Sequence, residues 1–126
     1  MLVVTRFTVP EQESASFADR AGRALGAMAG CPGYLRGSLG RAADDPTRWV
    51  LVTEWEGVGA YRRALSRYEV KVTATPLLAS AHDEPSAFEV LREATPGGPV
   101  TEHRPDRGMM TRARDAQPSG SDQEPR

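Results

Sequence analysis

The chain has 126 residues and a formal net charge of -1, from 16 basic and 17 acidic side chains. That balance excludes the basic excess of a nucleic-acid-binding domain, and a single cysteine, Cys31, excludes a disulfide within the chain and fits a reducing compartment. No apolar run approaches membrane-spanning length, and the N-terminus lacks a basic region followed by a long apolar stretch, so a cytoplasmic protein with no membrane or nucleic-acid partner is expected.

Residues 2–9 read as a strand, with Val3, Phe7 and Val9 on one face and Leu2 and Val4 on the other. Pro10 ends it. Glu11, Gln12 and Glu13 suit the positive end of a helix that runs to about Met28. Phe17, Ala21, Leu25 and Met28 make its core-facing stripe. Gly30, Pro32 and Gly33 stop it.

Residues 35–41 form a second strand, weakened by Gly37 and Gly40. A loop at 42–46, with turn-forming Asp44, Asp45 and Pro46, leads into a third strand at 48–55. A second helix spans 57–66, with Val58, Tyr61 and Leu65 inward and Arg62, Arg63 and Arg67 outward. A short helix follows within 68–78, where Val70, Ala74 and Leu77 share a face, and residues 86–92 close the domain as a last strand.

All eight aromatic residues precede residue 94, and from Thr95 on there is no aromatic, no Ile, no Leu and one Val. Such a segment cannot bury enough apolar surface to offset the entropy of ordering it. The expected organisation is a domain at 1–93 and a disordered polar, Pro/Gly/Arg-rich tail at 94–126.

The order β-α-β-β-α-β predicts an α+β, ferredoxin-like antiparallel sheet with helices on one face. Strands 1 and 3 carry apolar residues on both faces, so the face without helices calls for a partner. A domain of roughly 90 residues is also small for a self-sufficient core. A homodimer packed sheet to sheet is therefore expected.

These residues also resemble a known family. Strand 1, the helix ending in Cys31-Pro32-Gly33-Tyr34, the Asp44-Asp45-Pro46 loop, the run Leu51-Val52-Thr53-Glu54-Trp55, Tyr61 and the Glu69-Val70-Lys71 segment are similar to the antibiotic biosynthesis monooxygenase (ABM) domain. The resemblance spans about 1–91, with Trp55 its sharpest point. It implies a dimeric α/β barrel, and in some members oxygenation of aromatic polyketides by dioxygen without metal or flavin. Other members degrade haem with an Asn on strand 1, a Trp ending strand 3 and a His on the second helix. Only the Trp is matched here, because strand 1 has no Asn and the helix ends Leu65-Ser66-Arg67. Haem ligation is therefore not expected, and no cofactor is assigned.

Trp55 and Tyr61 stand at the end of strand 3 and one turn into the next helix, at one end of the space between sheet and helices. A flat apolar pocket with polar tips suits an aromatic ligand, although aromatic residues also dominate ordinary cores. Arg6, a charge on a strand of Val and Phe, can stabilise negative charge on an oxygen, or form a structural ion pair. Trp55, Tyr61 and Arg6 are the candidate catalytic residues, and Phe7, Tyr68, Arg36 and Leu65 the candidate substrate contacts.

His82, beside Asp83 and Glu84, ranks as a candidate base, with a solvated loop residue the preferred reading. Neither it nor His103 has partners at metal-ligand spacing, so no metal site is expected. Gly57-Val58-Gly59 is a tight turn rather than a phosphate cradle. The expected function is cofactor-independent oxidation of a planar aromatic molecule by dioxygen. A non-catalytic dimer binding a hydrophobic ligand, or a cyclase or isomerase on the same fold, are the alternatives.

Overall fold

A computed structural model describes residues 1–104. Alternation of large apolar and small or polar side chains builds three long strands: β1 (Leu2–Thr8), β2 (Tyr34–Ala42) and β3 (Asp45–Trp55). A two-residue strand, β4 (Ala87–Phe88), completes an antiparallel sheet of order β2-β3-β1-β4. Helix α1 (Ser14–Ala29) crosses from β1 to β2. Three shorter helices, α2 (Val58–Leu65), α3 (Tyr68–Thr73) and α4 (Thr75–Leu78), lead from β3 towards β4. This is the ferredoxin-like α+β arrangement expected from the sequence. Among the described residues no helix is long and apolar enough to cross a membrane.

β1 lies between β3 and β4, in register Leu2↔Glu54 through Thr8↔Arg48 with β3. Val3, Thr5 and Phe7 of β1 and Trp49, Leu51, Thr53 and Trp55 of β3 are buried on the helix-covered face. Phe17, Ala21, Ala24 and Met28 meet them from α1, and Val70, Ala74 and Leu77 from the α3–α4 segment. The helix assigned within 68–78 is therefore present, in two turns. The outer face carries Leu2, Val4, Val50 and Val52, all half-buried.

Four local readings change. The buried line of α2 is Ala60 and Ala64, with Val58, Tyr61 and Leu65 only half-buried. Small residues let α2 approach the turn before β2 so closely that a Cβ on Gly33 would sit 2.4 Å from the Ala60 Cβ; Gly33 also has a φ of +89°. Gly37 does not merely weaken its strand. A side chain there would meet the Tyr34 hydroxyl at 2.6 Å and Leu25 Cδ1 at 2.7 Å, so the glycine is what lets α1 settle on β2.

The 42–46 loop shrinks to a turn at Ala43–Asp44, because Ala42 pairs with Asp45 across a bulge. The Asp45 carboxylate accepts from the Thr47 N–H (3.0 Å) and hydroxyl (2.7 Å), which holds its pKa below the ordinary value. The last strand is two residues rather than 86–92. The loop 82–86, containing Pro85, takes β1's edge instead: His82 N–H donates to the Arg6 carbonyl (2.9 Å) and Val4 N–H to the Ser86 carbonyl (2.7 Å).

The chain divides after Phe88. In the unit that begins at Glu89, Arg92–Glu93 pairs antiparallel with Thr101–Glu102. Arg92 and Glu102 form an ion pair at 2.9 Å, and His103 meets Glu93. Residues 94–104 of the expected disordered tail therefore include one arm of a short hairpin, and residues 105–126 lie outside the described residues.

Candidate functional site

β3 ends on Trp55, which is fully buried. Its indole N–H donates to the Thr53 hydroxyl on the same strand face at 2.9 Å. Tyr34 meets the ring edge-on at 5.4 Å between centroids, and Tyr61 meets it at 5.4 Å with a 54° tilt. The tryptophan is thus a core residue with its one polar atom satisfied, and it lines neither of the clefts described next. What it does is back Tyr61.

Tyr61 lines a cleft of about 190 Å³ between the β1 edge, α2 and the 82–86 loop, with Thr5, Arg6, Leu78, His82 and Glu84. Burial pushes its phenol above the ordinary value of 10.0, so it stays protonated and can donate a hydrogen bond. Arg6 brings a guanidinium to the same cleft and is ion-paired to Glu84 at 3.0 Å. His82 also lines it, with Nε2 at 2.7 Å from the Thr8 hydroxyl. A protonated phenol, a cation and an imidazole thus converge on one space. Together they can bind an oxyanion and accept a proton.

A second cleft, of about 290 Å³, adjoins the first at Arg6 and His82. It lies over Gly40 and Val50 and is walled by Arg41 and Arg48, with Phe7 and Trp49 contributing to its lining. The Arg41 guanidinium sits 5.5 Å from the Trp49 ring centroid. Trp49 Nε1 is closed off from solvent and has no acceptor among the described residues.

Of the residues singled out from sequence, Arg6, Tyr61 and Phe7 lie at the clefts. Tyr68 is 78% exposed and lines neither. Arg36 stands on the outer sheet face, paired to Glu54 at 2.7 Å, and Leu65 packs against the core. Three cleft residues lie outside the candidate site residues named from sequence. His82 ranks there as a base only behind a solvated loop residue, because nothing local in the sequence marks that its loop returns to β1. Arg41 and Arg48 look like ordinary strand-surface charges until the hairpin register is known. Among the described residues no group of three or more His, Cys, Asp or Glu side chains is placed to hold a metal ion.

Known proteins share this architecture. The chain is 30% identical over 99 residues to a 42.8 kDa protein in the whiE locus of Streptomyces coelicolor, an alignment that takes 78% of this chain but 25% of that one. It therefore spans about a quarter of the curated relative it matches. A variant of SnoaB, a cofactor-independent oxygenase from Streptomyces nogalater, is 32% identical with a TM-score of 0.57, over 64% of this chain and 81% of that one. A conserved protein from Methanosarcina mazei reaches the same TM-score at 16% identity, over 68% and 84% of the two chains, and so shares the fold alone. The sequence profile described as "Antibiotic biosynthesis monooxygenase" matches residues 1–75. With that match over more than half its length, the chain belongs to the antibiotic biosynthesis monooxygenase family.

Proposed function

We propose that the chain is a cofactor-independent monooxygenase that oxidises a planar aromatic phenol or anthrone with dioxygen. The observation that carries this is the convergence of Tyr61, Arg6 and His82 on one cleft. The likeness to SnoaB supports the reaction class.

His82 accepts a proton from the activated carbon or hydroxyl, leaving a delocalised anion. Arg6 and the Tyr61 phenol hold the negative charge on its oxygen. Dioxygen adds at the anionic carbon, giving a peroxide that loses water to leave a carbonyl. One oxygen atom enters the product and the other leaves as water. For an anthrone, the methylene carbon supplies both hydrogens of that water, so no outside reductant is required. Trp55 acts from behind, fixing the ring of Tyr61.

The same reading pairs two copies through the outer sheet face near Leu2, Val4, Val52 and Phe88. Leu2 pairs with Phe88 across β1–β4 and Val4 with Val52 across β1–β3. A monomer in sedimentation at micromolar concentration would reject that pairing.

Oxygen uptake with 1,8-dihydroxyanthrone tests the chemistry against its spontaneous autoxidation. Quinone should form with one dioxygen consumed per turnover, and Tyr61→Phe and Arg6→Gln should each lower the rate by roughly tenfold or more. A folded protein that leaves the autoxidation rate unchanged across a panel of anthrones and phenols rejects the oxygenase reading. Tight binding without oxygen uptake would point to a ligand-binding dimer instead, and a product isomeric with its substrate to a cyclase or isomerase.

A further inference from the structure

The edge of β1 carries a main-chain donor and a buried hydroxyl that the oxygenase reading does not use. Trp55 N–H donates to the Met1 carbonyl, and Val9 N–H to the Thr47 carbonyl. Odd-numbered residues along β1 therefore bond to β3, and the main-chain groups of Val4 and Arg6 point the other way, to the edge. The β4 pairing, Leu2↔Phe88 and Val3↔Ala87, would continue with Val4 opposite Ser86 and Arg6 opposite Glu84. Val4 N–H does donate to the Ser86 carbonyl, at 2.7 Å. At Arg6 the ladder breaks. Glu84 N–H turns back onto the His82 carbonyl (3.0 Å), and His82 N–H takes the Arg6 carbonyl (2.9 Å). Two steps along β1 are thus matched by four along the loop, which bows away from the edge. Arg6 N–H is left with no acceptor among the described residues, facing the cleft of about 190 Å³ that Arg6 and Tyr61 line.

Thr5, the neighbour of Arg6, adds a second unused group. Thr5 and Thr53 are both buried on the helix-covered face of the sheet. The Thr53 hydroxyl accepts from Trp55. The Thr5 hydroxyl has no partner among the described residues, although Thr5 is only 6% exposed. Its oxygen is not sealed off as Trp49 Nε1 is, and Thr5 lines the same cleft. A hydroxyl at so buried a position is costly to leave unmatched, and a molecule entering the cleft would complete it. Tyr61 brings a third donor from the helix-covered side, where it packs on Trp55. The Arg6 N–H lies in the plane of the sheet, so none of the three groups belongs to the outer face of Leu2, Val4, Val52 and Phe88. All three donate and none is charged, while Asp83 and Glu84 also line the cleft. An uncharged acceptor suits this lining, whereas a carboxylate would meet like charges.

We propose that the Thr5 hydroxyl and the Arg6 main-chain N–H, with the Tyr61 phenol, seat the carbonyl oxygen of an aromatic ketone, which makes Thr5 a specificity residue for the ketone. The proposal deepens the oxygenase reading and rests on its cleft. An anthrone carries such a carbonyl, and hydrogen bonds to it strengthen as negative charge grows on the oxygen.

Titration calorimetry of the full chain with 1-indanone, and with indane, which lacks the carbonyl, tests the proposal under nitrogen, where no oxygenation occurs. A protein without oxygenase activity can therefore still pass, and an active oxygenase can still fail. 1-Indanone should bind at least as tightly as indane despite its better hydration, with an affinity that salt leaves unchanged. Thr5→Val, nearly isosteric, should cost indanone affinity about fivefold, the worth of one neutral hydrogen bond, and leave indane unchanged. It should also move the infrared carbonyl stretch of bound indanone to higher frequency, whereas Thr5→Ser should keep both affinity and stretch. Cys31 allows a synthetic 1–30 peptide to be ligated to the remainder of the chain, so that an ester can replace the Arg6 amide and remove its N–H without touching the side chain. That ester should also cost about fivefold. The same replacement at Thr8, which faces the edge outside this cleft, should cost nothing. No indanone binding, a Thr5→Val loss shared by indane, an unmoved carbonyl stretch, a Thr5→Ser loss as large as that of Thr5→Val, or an Arg6 ester that binds as tightly as the Thr8 ester would each overturn the proposal.

Discussion

The two tryptophans of β3 share one strand and one face but live in opposite circumstances. Trp55 is sealed, flanked by Tyr34 and Tyr61, with its N–H given to Thr53. Trp49 packs on Phe17 at 5.2 Å, carries Arg41 on its face, and keeps an N–H with no acceptor among the described residues. Placement at the end of a strand therefore does not by itself make an aromatic residue part of a pocket. The ring marked by family resemblance is sealed with its polar atom satisfied, and the other is also core but lies under the Arg41 guanidinium with its polar atom unmatched among the described residues.

Substitutions can break or sharpen this contrast. The largest effect should come from Trp55→Ala, which opens a cavity in a fully buried site and should cost about 3–5 kcal/mol in urea denaturation. A loss under about 1 kcal/mol would mean that the ring is not packed as described. Next comes Thr53→Val, nearly isosteric, which leaves the Trp55 N–H buried without an acceptor and should cost about 1–3 kcal/mol.

Alkaline pH should single out Tyr61. Burial raises the Tyr61 pKa, so its share of stability is complete below the ordinary value of 10.0 and is lost as pH rises through the raised folded-state value. Tyr61→Phe should flatten part of that fall, Tyr34 contributing in the same direction; an unchanged alkaline slope would contradict it. The smallest effect belongs to Trp49→Phe. It removes an unpartnered donor along with some packing, so stability should move by less than about 1 kcal/mol. A loss as large as that from Thr53→Val would show that the Trp49 N–H has a partner after all.

What the sequence made legible follows from range. Strand alternation in 2–9 and 48–55, the Phe17/Ala21/Met28 stripe and the glycine-proline stop are local, and they led to the fold. In α2 the large side chains Tyr61 and Leu65 pack only at the margin of the core, whereas close approach to Gly33 selects Ala60, with Ala64 buried one turn on. The basic cleft was hidden for a subtler reason. A loop at 42–46 would set Arg41 opposite Thr47, but the bulge beside Ala42 sets it opposite Trp49. A register shift of that kind decides which side chains meet, and composition does not reveal it. The place of His82 comes from long-range bonds, its N–H to the Arg6 carbonyl and its Nε2 to the Thr8 hydroxyl, which no local pattern announces.

The central place of β1 bears on how the chain folds. β2 and β3 are joined by the turn at Ala43–Asp44 and can zip within microseconds, as short hairpins do. β1 must close the whole span of α1 and β2 to reach β3, as the Leu2↔Glu54 register requires, and that closure comes at greater entropic cost. Docking of β1 on a formed hairpin is therefore expected late in folding. Destabilising the turn should slow folding, whereas Val3→Ala should mainly speed unfolding, and stopped-flow kinetics showing the opposite partition would reverse the order.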